Sequence, residues 1–471
     1  MGLGYADRHR HAVLFVDDEG WASFDQVAAA LKRRGIRTIK VVSSEPARFD
    51  KVLREPHMRW IADRLFYDEV IALGLERGRR RLAELSSAGA IADALIAEPT
   101  LLKIGVQSEH GRMLVASSLA SRSTLGAALL NKFEVNEALA AAGVPVPIQI
   151  SGRCSPSDAV ARLGLPLVLK SPTGAAGYGV RIVRTLAELG PALEGLRHFD
   201  QEHFYQQYIE GSVVMFSAVL GKGGEPLIEH GFRVEQTQSC LGPSAAVSLY
   251  DRKELIDLGR RAAARFQFEG LAELGFLETP DGRLLHMDAN LRAWGYIASP
   301  LKLGINYLDA YVALLRREPW CAHPPPLVSP SGALRVYPYG LFEAVRSGST
   351  SDIVANAADF LKVCHTQFGS LYCLQAFGQA ALLSRRRFVS PRRRSSSLGE
   401  KRLVCEAKRD TEPTRRSTDS NPPLRTFTVS ARSELAQASK KRPEGPFAVK
   451  EANSPPGQSQ VRPPARPVGT S

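Results

Sequence analysis

One short stretch, residues 167–180, holds the residue types best suited to chemistry, in the order LVLKSPTGAAGYGV. Its apolar run ends at Lys170, and glycines follow at Gly174, Gly177 and Gly179. This pattern predicts a strand, a glycine loop and a second strand. Glycines let backbone N–H groups approach an anion closely, and a lysine at a strand end supplies a positive charge for phosphate. The stretch alone is equally compatible with an ordinary hairpin whose lysine is merely exposed.

The order of these residues excludes two common nucleotide-binding motifs. In a Walker loop a Gly-Lys-Ser/Thr triplet opens a helix, whereas Lys170 precedes the glycines. The dinucleotide fingerprint needs a strand followed by a helix, with a different glycine spacing. A loop between two strands fits neither motif.

The beginning of the chain, residues 12–42, reads as strand, helix and strand, a βαβ start of Rossmann type. Ser23 and Gln26 form a capping-box pattern for the helix. The first turn, residues 17–20, is acidic and lacks phosphate-binding glycines, so we expect no dinucleotide there. Residues 58–130 read as mostly helical, and the pattern does not locate their strands.

Two further polar positions lie on predicted regular elements. A helix is predicted over residues 124–142 and carries Lys132, although a lysine on a helix is usually only solvated. A strand is predicted over residues 204–209, and a hairpin over residues 270–278 and 284–289. Asp288 and Asn290 lie two apart at the end of that hairpin and project from the same strand face. Without further context, a polar pair beside a turn is the simpler interpretation.

The positive charge of the chain is concentrated at its end. All 471 residues together have a formal net charge of +13. Residues 385–471 contain 20 Lys and Arg but only 8 Asp and Glu, so residues 1–384 are nearly neutral. With 11 prolines and little to bury, this tail is predicted to be disordered. It could bind RNA or acidic lipid weakly, or be a non-native reading-frame extension.

The cysteines and apolar segments favour a cytoplasmic protein. Six cysteines are scattered without any Cys-x-x-Cys spacing, which argues against a zinc site or a disulfide scaffold. The polar first residues do not resemble a signal peptide. Residues 360–383 lean apolar, but Lys362 and His365 interrupt them, so they read as a packing helix rather than a membrane span.

Five segments in a fixed order resemble the ATP-grasp superfamily over about residues 120–320, and most closely its carboxylate–amine ligase-like members. They are residues 131–133 with the AGVPVP sequence that follows the predicted helix, the stretch 167–179, and residues 206–211, 270–276 and 287–292. The resemblance implies a mixed α/β and α+β fold, in which a Rossmann-like domain precedes an ATP-grasp fold of two α+β subdomains. The expected divisions are 1–120 for the first domain, 121–205 and 206–325 for the subdomains, 326–384 for a helical extension, and 385–471 for the tail.

The same resemblance implies a site. Lys132 and Lys170 would reach the phosphates of ATP, and Arg292 would support the transferred phosphate. Asp288 and Asn290 match the positions that coordinate Mg²⁺ (or Mn²⁺), in keeping with the preference of that ion for hard oxygen ligands. The remaining implied positions are the glycine loop over the phosphates, Gly174, Gly177 and Gly179, and the adenine segment, Gln206, Gln207, Tyr208 and Ile209.

The chain departs from the family pattern at several positions. Gly275 stands where a glutamate metal ligand is usual, with Glu273 two residues back on the same strand face and Glu278 three residues on as substitutes. Val213 leaves no acid for the ribose, and Leu291 replaces the more common proline. ATP binding is therefore expected more firmly than catalysis with two metal ions.

Three functions follow from these patterns. The first is an ATP- and Mg²⁺-dependent ligase that activates a carboxylate as an acyl-phosphate for attack by an amine. The second, motivated by Gly275, is an ATP-binding sensor or scaffold, and the third is a nucleic-acid binder acting through the tail. The expected partners are a small-molecule carboxylate and an amine, with a homodimer as one assembly, no membrane, and no nucleic acid beyond weak binding by the tail. Arg233 is a weaker phosphate or substrate candidate, and the acceptor pocket is not readable.

Overall fold

Three sheets organise the part of the chain that the computed structural model describes. The described residues are 11–44, 59–174, 177, 179–196, 203–237, 242–321, 332–337, 339–341, 344, 351, 353–358, 361, 368 and 369. The predicted disordered tail lies outside them, as does most of the predicted extension over 326–384. Residues 353–358 of that extension are helical.

The first sheet is parallel and has the strand order β3-β2-β1-β4. Its strands are β1 (Ala12–Val16), β2 (Arg37–Val42), β3 (Glu69–Ala72) and β4 (Ile91–Ile96). The accompanying helices are α1 (Ala22–Arg33), α2 (Arg59–Leu65), α3 (Glu76–Ser87), α4 (Glu98–Ile104) and α5 (Glu109–Ser117). Every residue of β1 is buried, as expected for a parallel strand covered on both faces. The predicted strand–helix–strand start is confirmed.

The start of α1 differs from its predicted capping box. The helix begins after Trp21 without a side-chain cap of its own. Instead, the carboxylate of Asp17 accepts hydrogen bonds from the backbone N–H groups of Glu19 (2.9 Å), Gly20 (3.1 Å) and Trp21 (2.9 Å). The acidic turn therefore organises its own backbone and fixes the position of Trp21.

The second sheet is antiparallel and has the order β5-β8-β6-β7. Its strands are β5 (Gln149–Ser151), β6 (Leu167–Lys170), β7 (Val180–Val183) and β8 (Phe204–Gln207). One face packs through Leu167, Leu169 and Val183 into a core shared with α7 (Pro156–Leu163) and α8 (Leu186–Leu196). The hairpin predicted around Lys170 is confirmed.

The third sheet is antiparallel, with the order β13-β12-β9-β10-β11-β14. Its strands are β9 (Ser212–Leu220), β10 (Pro226–Thr237), β11 (Ser244–Leu249), β12 (Gly270–Glu278), β13 (Leu284–Asn290) and β14 (Leu334–Arg335). One face packs against α9 (Lys253–Phe266), through residues that include Phe216 and Phe276. The other packs against α10 (Tyr307–Arg316) and shares its core with α1.

The helix predicted over 124–142 is two elements. A short 3₁₀ segment, Gly126–Leu130, is followed by α6 (Lys132–Ala141). Asn131 separates them because it adopts a non-helical conformation (φ −114°, ψ 104°), and its side chain accepts hydrogen bonds from the N–H groups of Phe133 and Glu134. Lys132 is consequently the first residue of α6.

Candidate active site

Lys132 and Asp288 form the centre of the site. The Nζ atom of Lys132 lies 2.8 Å from Oδ1 of Asp288, near the end of β13. The two side chains are only 20 % and 25 % exposed. The backbone N–H of Lys132 also donates to the carbonyl of Pro172 (2.8 Å), which joins the start of α6 to the loop after β6. An ammonium and a carboxylate thus meet beside that loop.

Lys170 approaches the same strand from β6. Its Nζ donates to the backbone carbonyl of Met287, at 3.4 Å. Burial lowers the pKa of Lys170 to about 8, opposed by Asp288 and reinforced by Lys132. Burial alone would raise the pKa of Asp288, but the charges of Lys132, Lys170 and Arg292 outweigh it and keep that pKa below its ordinary value. The structure thus brings Lys132, Lys170 and Asp288 together at the end of β13.

The glycine loop closes the hairpin next to Lys170. Gly174, Gly177 and Gly179 have φ values of 141°, 79° and 80°, in the region that side-chain-bearing residues rarely adopt. The N–H of Ser171 donates to the carbonyl of Gly179 (2.8 Å), which closes the loop at its base. The buried Ser171 Oγ has no hydrogen-bond partner among the described residues.

Gln206 lies on the same sheet face as Lys170. In the register of β6 and β8, Lys170 is opposite Phe204 and Val168 is opposite Gln206, so these side chains share a face. Gln206 is 3 % exposed, and its Nε2 has no partner within the described part of the chain. An amide donor without a partner in a buried position suits a polar ligand. The strand ends at Gln207, so the predicted strand over 204–209 is too long, and Tyr208 and Ile209 follow it.

The third group of implied residues forms a hydrogen-bonded line. Nδ2 of Asn290 donates to Oε2 of Glu273 (3.0 Å), and Nη2 of Arg292 donates to Oδ1 of Asn290 (3.0 Å). Burial raises the pKa of Glu273 to about 7, although Asn290 and Arg292 lower it. Gly275 is opposite Asp288 in the register of β12 and β13, so Glu273, Gly275, Asp288 and Asn290 share one face.

Glu278, the alternative metal residue, does not join this group. It belongs to the face of Leu274 and Phe276, opposite Leu284. Its carboxylate is bound by Arg233 (2.5 Å), Arg252 (2.7 Å) and the hydroxyl of Tyr250 (2.6 Å). Arg233, the weaker phosphate candidate, is therefore part of a separate charged group.

Two contacts of Arg292 are not foreseeable from the sequence. Its Nε lies 3.0 Å from both carboxylate oxygens of Glu98, which is 194 residues away. Its guanidinium also lies over the ring of Trp21, 4.3 Å from the ring centroid. Neither residue carries a motif, and only the packing of the first sheet against the third brings them to Arg292.

A buried polar chain fixes α6 between the second and third sheets. Nδ1 of His286 on β13 lies 3.0 Å from Oδ1 of Asn136, and Nδ2 of Asn136 donates to Oε1 of Gln149 on β5 (3.2 Å). Because an amide oxygen only accepts, Nδ1 of His286 carries the proton. Burial lowers the pKa of His286 to about 4, so the ring is neutral near pH 7. The sequence offers no spacing that signals this chain.

The oxygen donors suit one metal ion shared with a ligand rather than an all-protein cage. Within the described residues, no group of three or more His, Cys, Asp and Glu side chains is arranged to hold a metal. Asp288 is held ionised by its neighbours. Mg²⁺ is commonly bound by one or two carboxylates together with phosphate oxygens. Asp288, with the amide of Asn290 beside it, fits that kind of coordination.

Among proteins of known function, the chain is similar to ligases. Over 121 residues the chain is 32 % identical to a D-alanine–D-alanine ligase of Moorella thermoacetica, covering 23 % of this chain and 39 % of that protein. Over 176 residues it is 28 % identical to the D-alanine–D-alanine ligase of Bordetella parapertussis, covering 33 % and 55 %. The chain thus spans about half, or less, of the length of these relatives. No family model matches it.

Solved structures show the same fold. The biotin carboxylase domain of the Hydrogenobacter thermophilus 2-oxoglutarate carboxylase, bound to MgADP, ADP and bicarbonate, has a TM-score of 0.50 at 17 % identity, over 66 % of this chain and 70 % of that one. An N5-carboxyaminoimidazole ribonucleotide synthetase in complex with ADP also has a TM-score of 0.50, at 14 % identity, over 66 % and 77 %. Among the described helices, none is both long and apolar enough to cross a bilayer.

Proposed function

The chain belongs to the ATP-grasp superfamily, and we propose that it is an ATP- and Mg²⁺-dependent ligase that joins a small-molecule carboxylate to an amine or a similar nucleophile. The observation that carries the proposal is the convergence of two lysines from separate elements on one strand end. Lys132 lies 2.8 Å from Asp288, and Lys170 donates to Met287 at 3.4 Å. Two ammonium groups under a glycine loop suit a polyphosphate.

The nucleotide would lie between the second and third sheets. Its phosphates would contact Lys132 and Lys170 beneath the loop of Gly174, Gly177 and Gly179. Gln206 and residues 207–209 would hold adenine, because the buried amide of Gln206 has a donor to spare among the described residues. Exclusion of water by the loop would protect a reactive intermediate from hydrolysis.

Asp288 would hold the metal ion, with Asn290 as a further oxygen ligand. The Asn290 carbonyl accepts from Arg292 and has a second lone pair. Glu273 would support Asn290 through their hydrogen bond. When bound there, Mg²⁺ offsets the negative charge that develops on the transferred phosphoryl group.

The proposed reaction has two steps. A carboxylate oxygen attacks the γ-phosphorus and the bond to ADP breaks, which gives an acyl-phosphate. The amine then attacks the acyl carbon, phosphate leaves, and the nitrogen loses a proton. Lys132, Lys170 and Arg292 would act by positioning the groups and by neutralising charge. The relatives named above are described with different small molecules, so the proposal stays at the level of a carboxylate and an amine.

The test is release of ADP and phosphate from MgATP across a panel of carboxylic and amino acids. We expect release to require both a carboxylate and an amine, and to be abolished in Lys170→Ala and Asp288→Ala. Lys253 and Asp257 form a matched control, an exposed pair at 2.5 Å on α9. Lys253→Ala and Asp257→Ala should turn over like the wild type. Unchanged turnover in the two site variants would reject the assignment.

Gly275 favours one alternative, an ATP-binding protein that senses or scaffolds without ligating. No carboxylate stands opposite Asp288 at this position. A Cβ atom added at Gly275 would lie 3.2 Å from Sδ of Met215 and 3.4 Å from Cε of Met287, both flexible ends that can shift. Under this alternative, Gly275→Glu would raise metal-dependent turnover from a low level. Robust turnover by the wild-type protein would reject it.

We also propose a domain organisation and a cytoplasmic location. The first domain would span 1–120, the two ATP-grasp subdomains 121–205 and 206–325, the helical extension 326–384 and the tail 385–471, in a protein that uses ATP with Mg²⁺ or Mn²⁺. A homodimer is the proposed assembly, which sedimentation velocity at several protein concentrations would test. A concentration-independent monomer would reject the dimer without affecting the ligase.

A further inference from the structure

Two residues at one edge of the first sheet hold Arg292. Trp21 follows β1 and Glu98 follows β4, and these two strands are parallel neighbours. Their carboxyl ends therefore lie side by side, and both residues project from the same edge. Arg292, just beyond β13 of the third sheet, meets them there.

The contacts restrain the guanidinium in two directions. Nε of Arg292 lies 3.0 Å from each oxygen of Glu98, and its Cζ lies over the ring of Trp21, 4.3 Å from the ring centroid. Arg292 is only 7 % exposed, so water screens these interactions weakly. An ion pair limits the distance and a ring face limits the tilt.

Trp21 is itself immobilised. Its backbone N–H donates to Asp17 at 2.9 Å, and its ring packs edge-on against Phe24 with centroids 5.4 Å apart. The indole is therefore a fixed surface against which the guanidinium rests. The orientation of Arg292 is set from the first sheet as well as by its own strand.

The restrained guanidinium keeps donors for a ligand. Of its five N–H groups, one on Nε points to Glu98, one on Nη2 donates to Asn290, and one on Nη1 makes a long contact to the carbonyl of Ala293 (3.5 Å). One N–H on each Nη atom has no partner among the described residues. Such a pair suits an anion with two oxygens, such as a phosphoryl or carboxyl group.

We propose that Glu98 and Trp21 are positioning residues that aim the free N–H groups of Arg292 at the phosphoryl group in transfer. This inference rests on the proposed ligase function and adds to it, since it makes the first sheet part of the phosphoryl-transfer site. A purely structural ion pair would stabilise the fold without distinguishing one ligand from another. The positioning role instead predicts selective weakening of a mimic of the transferring phosphoryl group.

The experiment compares two ligands by calorimetry on the full chain: MgADP, and MgADP with aluminium fluoride as the phosphoryl mimic. For Glu98→Gln we expect about 10- to 100-fold weaker binding of the fluoride complex, because a small misplacement of a catalytic group has effects of that size. MgADP alone should bind within about twofold of the wild type, because Arg292 does not contact it in the proposed site. Trp21→Phe, which keeps a smaller ring face, should weaken only the fluoride complex, and by less.

The control is Glu76→Gln, which changes the same residue type at the first position of another helix, where Glu76 pairs with Arg80 on the surface. It should alter neither affinity. Equal losses for both ligands in Glu98→Gln, or no loss, would overturn the positioning role and leave the ligase proposal standing. If Glu98→Gln does not fold, Trp21→Phe decides by the same comparison. Failure of the wild type to bind MgADP would overturn both proposals.

Discussion

Nζ of Lys132 and Oδ1 of Asp288 lie 2.8 Å apart, so the ammonium proposed to bind phosphate neutralises the carboxylate proposed to bind metal. The pair joins the first turn of α6 to the end of β13. A metal–nucleotide complex would replace this pair by two new contacts of the same kind, ammonium to phosphate and carboxylate to metal. Binding would thus exchange ionic partners rather than create isolated charges, which are costly to bury.

Asp288→Asn should destabilise the fold as well as remove activity. Loss of the carboxylate leaves Lys132 and Lys170 without their shared counter-charge. We expect the free energy of unfolding to fall by about 1–3 kcal/mol, less than for a fully buried pair, because Asp288 is 25 % exposed. Urea denaturation measures the change. The control, Asp281→Asn, alters an exposed turn residue paired with Arg283 and should stay within about 0.5 kcal/mol.

Lys170→Met should abolish ADP release and yet stabilise the fold near pH 7. Burial lowers the pKa of Lys170 to about 8, from 10.5 in the unfolded chain. Keeping the charged amine in the folded state therefore costs free energy of folding. This cost is complete below pH 8 and disappears as the pH rises toward 10.5. The variant should gain about 1 kcal/mol near neutral pH and lose that advantage in alkaline solution. Urea denaturation near neutral pH and in alkaline solution measures the difference in stability, with exposed Lys253→Met as the control. A Lys170→Met variant that is less stable than the wild type at neutral pH would contradict the interpretation.

Asn136 and His286 should be energetically coupled. Removing either leaves a buried polar partner unsatisfied, since Nδ1 of His286 and Oδ1 of Asn136 are 3.0 Å apart and both residues are buried. A double-mutant cycle with Asn136→Ala and His286→Ala should give a coupling of about 0.5–3 kcal/mol in urea denaturation. Additive losses would show that the two side chains do not depend on each other. Asn136→Ala should also weaken MgATP binding, because Lys132 lies one turn earlier on α6.

Glu273→Gln should change how stability depends on pH. Burial raises the pKa of Glu273 to about 7, from 4.5 when unfolded. Its contribution to stability is complete below pH 4.5 and is lost as the pH rises through 7, because the unfolded chain ionises first. Glutamine stays neutral, so the variant should be more stable relative to wild type by about 1–3 kcal/mol at pH 7.5 than at pH 4.5. A pH-independent difference in urea denaturation would contradict the raised pKa.

The structural features that depend on local sequence pattern could be predicted from the sequence. The hairpin around Lys170 and the facing pair Asp288 and Asn290 follow from alternation and turn residues, and both are present. The residues that act across long separations could not be found in this way. Glu98 reaches Arg292 over 194 positions, and Asn136 reaches His286 over 150.

Local patterns also failed where a side chain had a competing partner. Asp17 took the role expected of Ser23 at the start of α1. Asn131 ended one helical segment and began another within the stretch that was predicted as a single helix. In both cases a short polar side chain satisfied backbone N–H groups more effectively than continuation of the regular pattern would have done. Such competition depends on three-dimensional neighbours that periodicity does not encode.

Because Lys132 is the first residue of α6, its ammonium and the positive end of the helix would act on the same anion in the proposed site. Their combined attraction grows with the charge of the bound group. The proposed site would therefore bind a triphosphate more tightly than the diphosphate left after transfer. ADP would then dissociate faster than ATP, without a conformational change dedicated to product release.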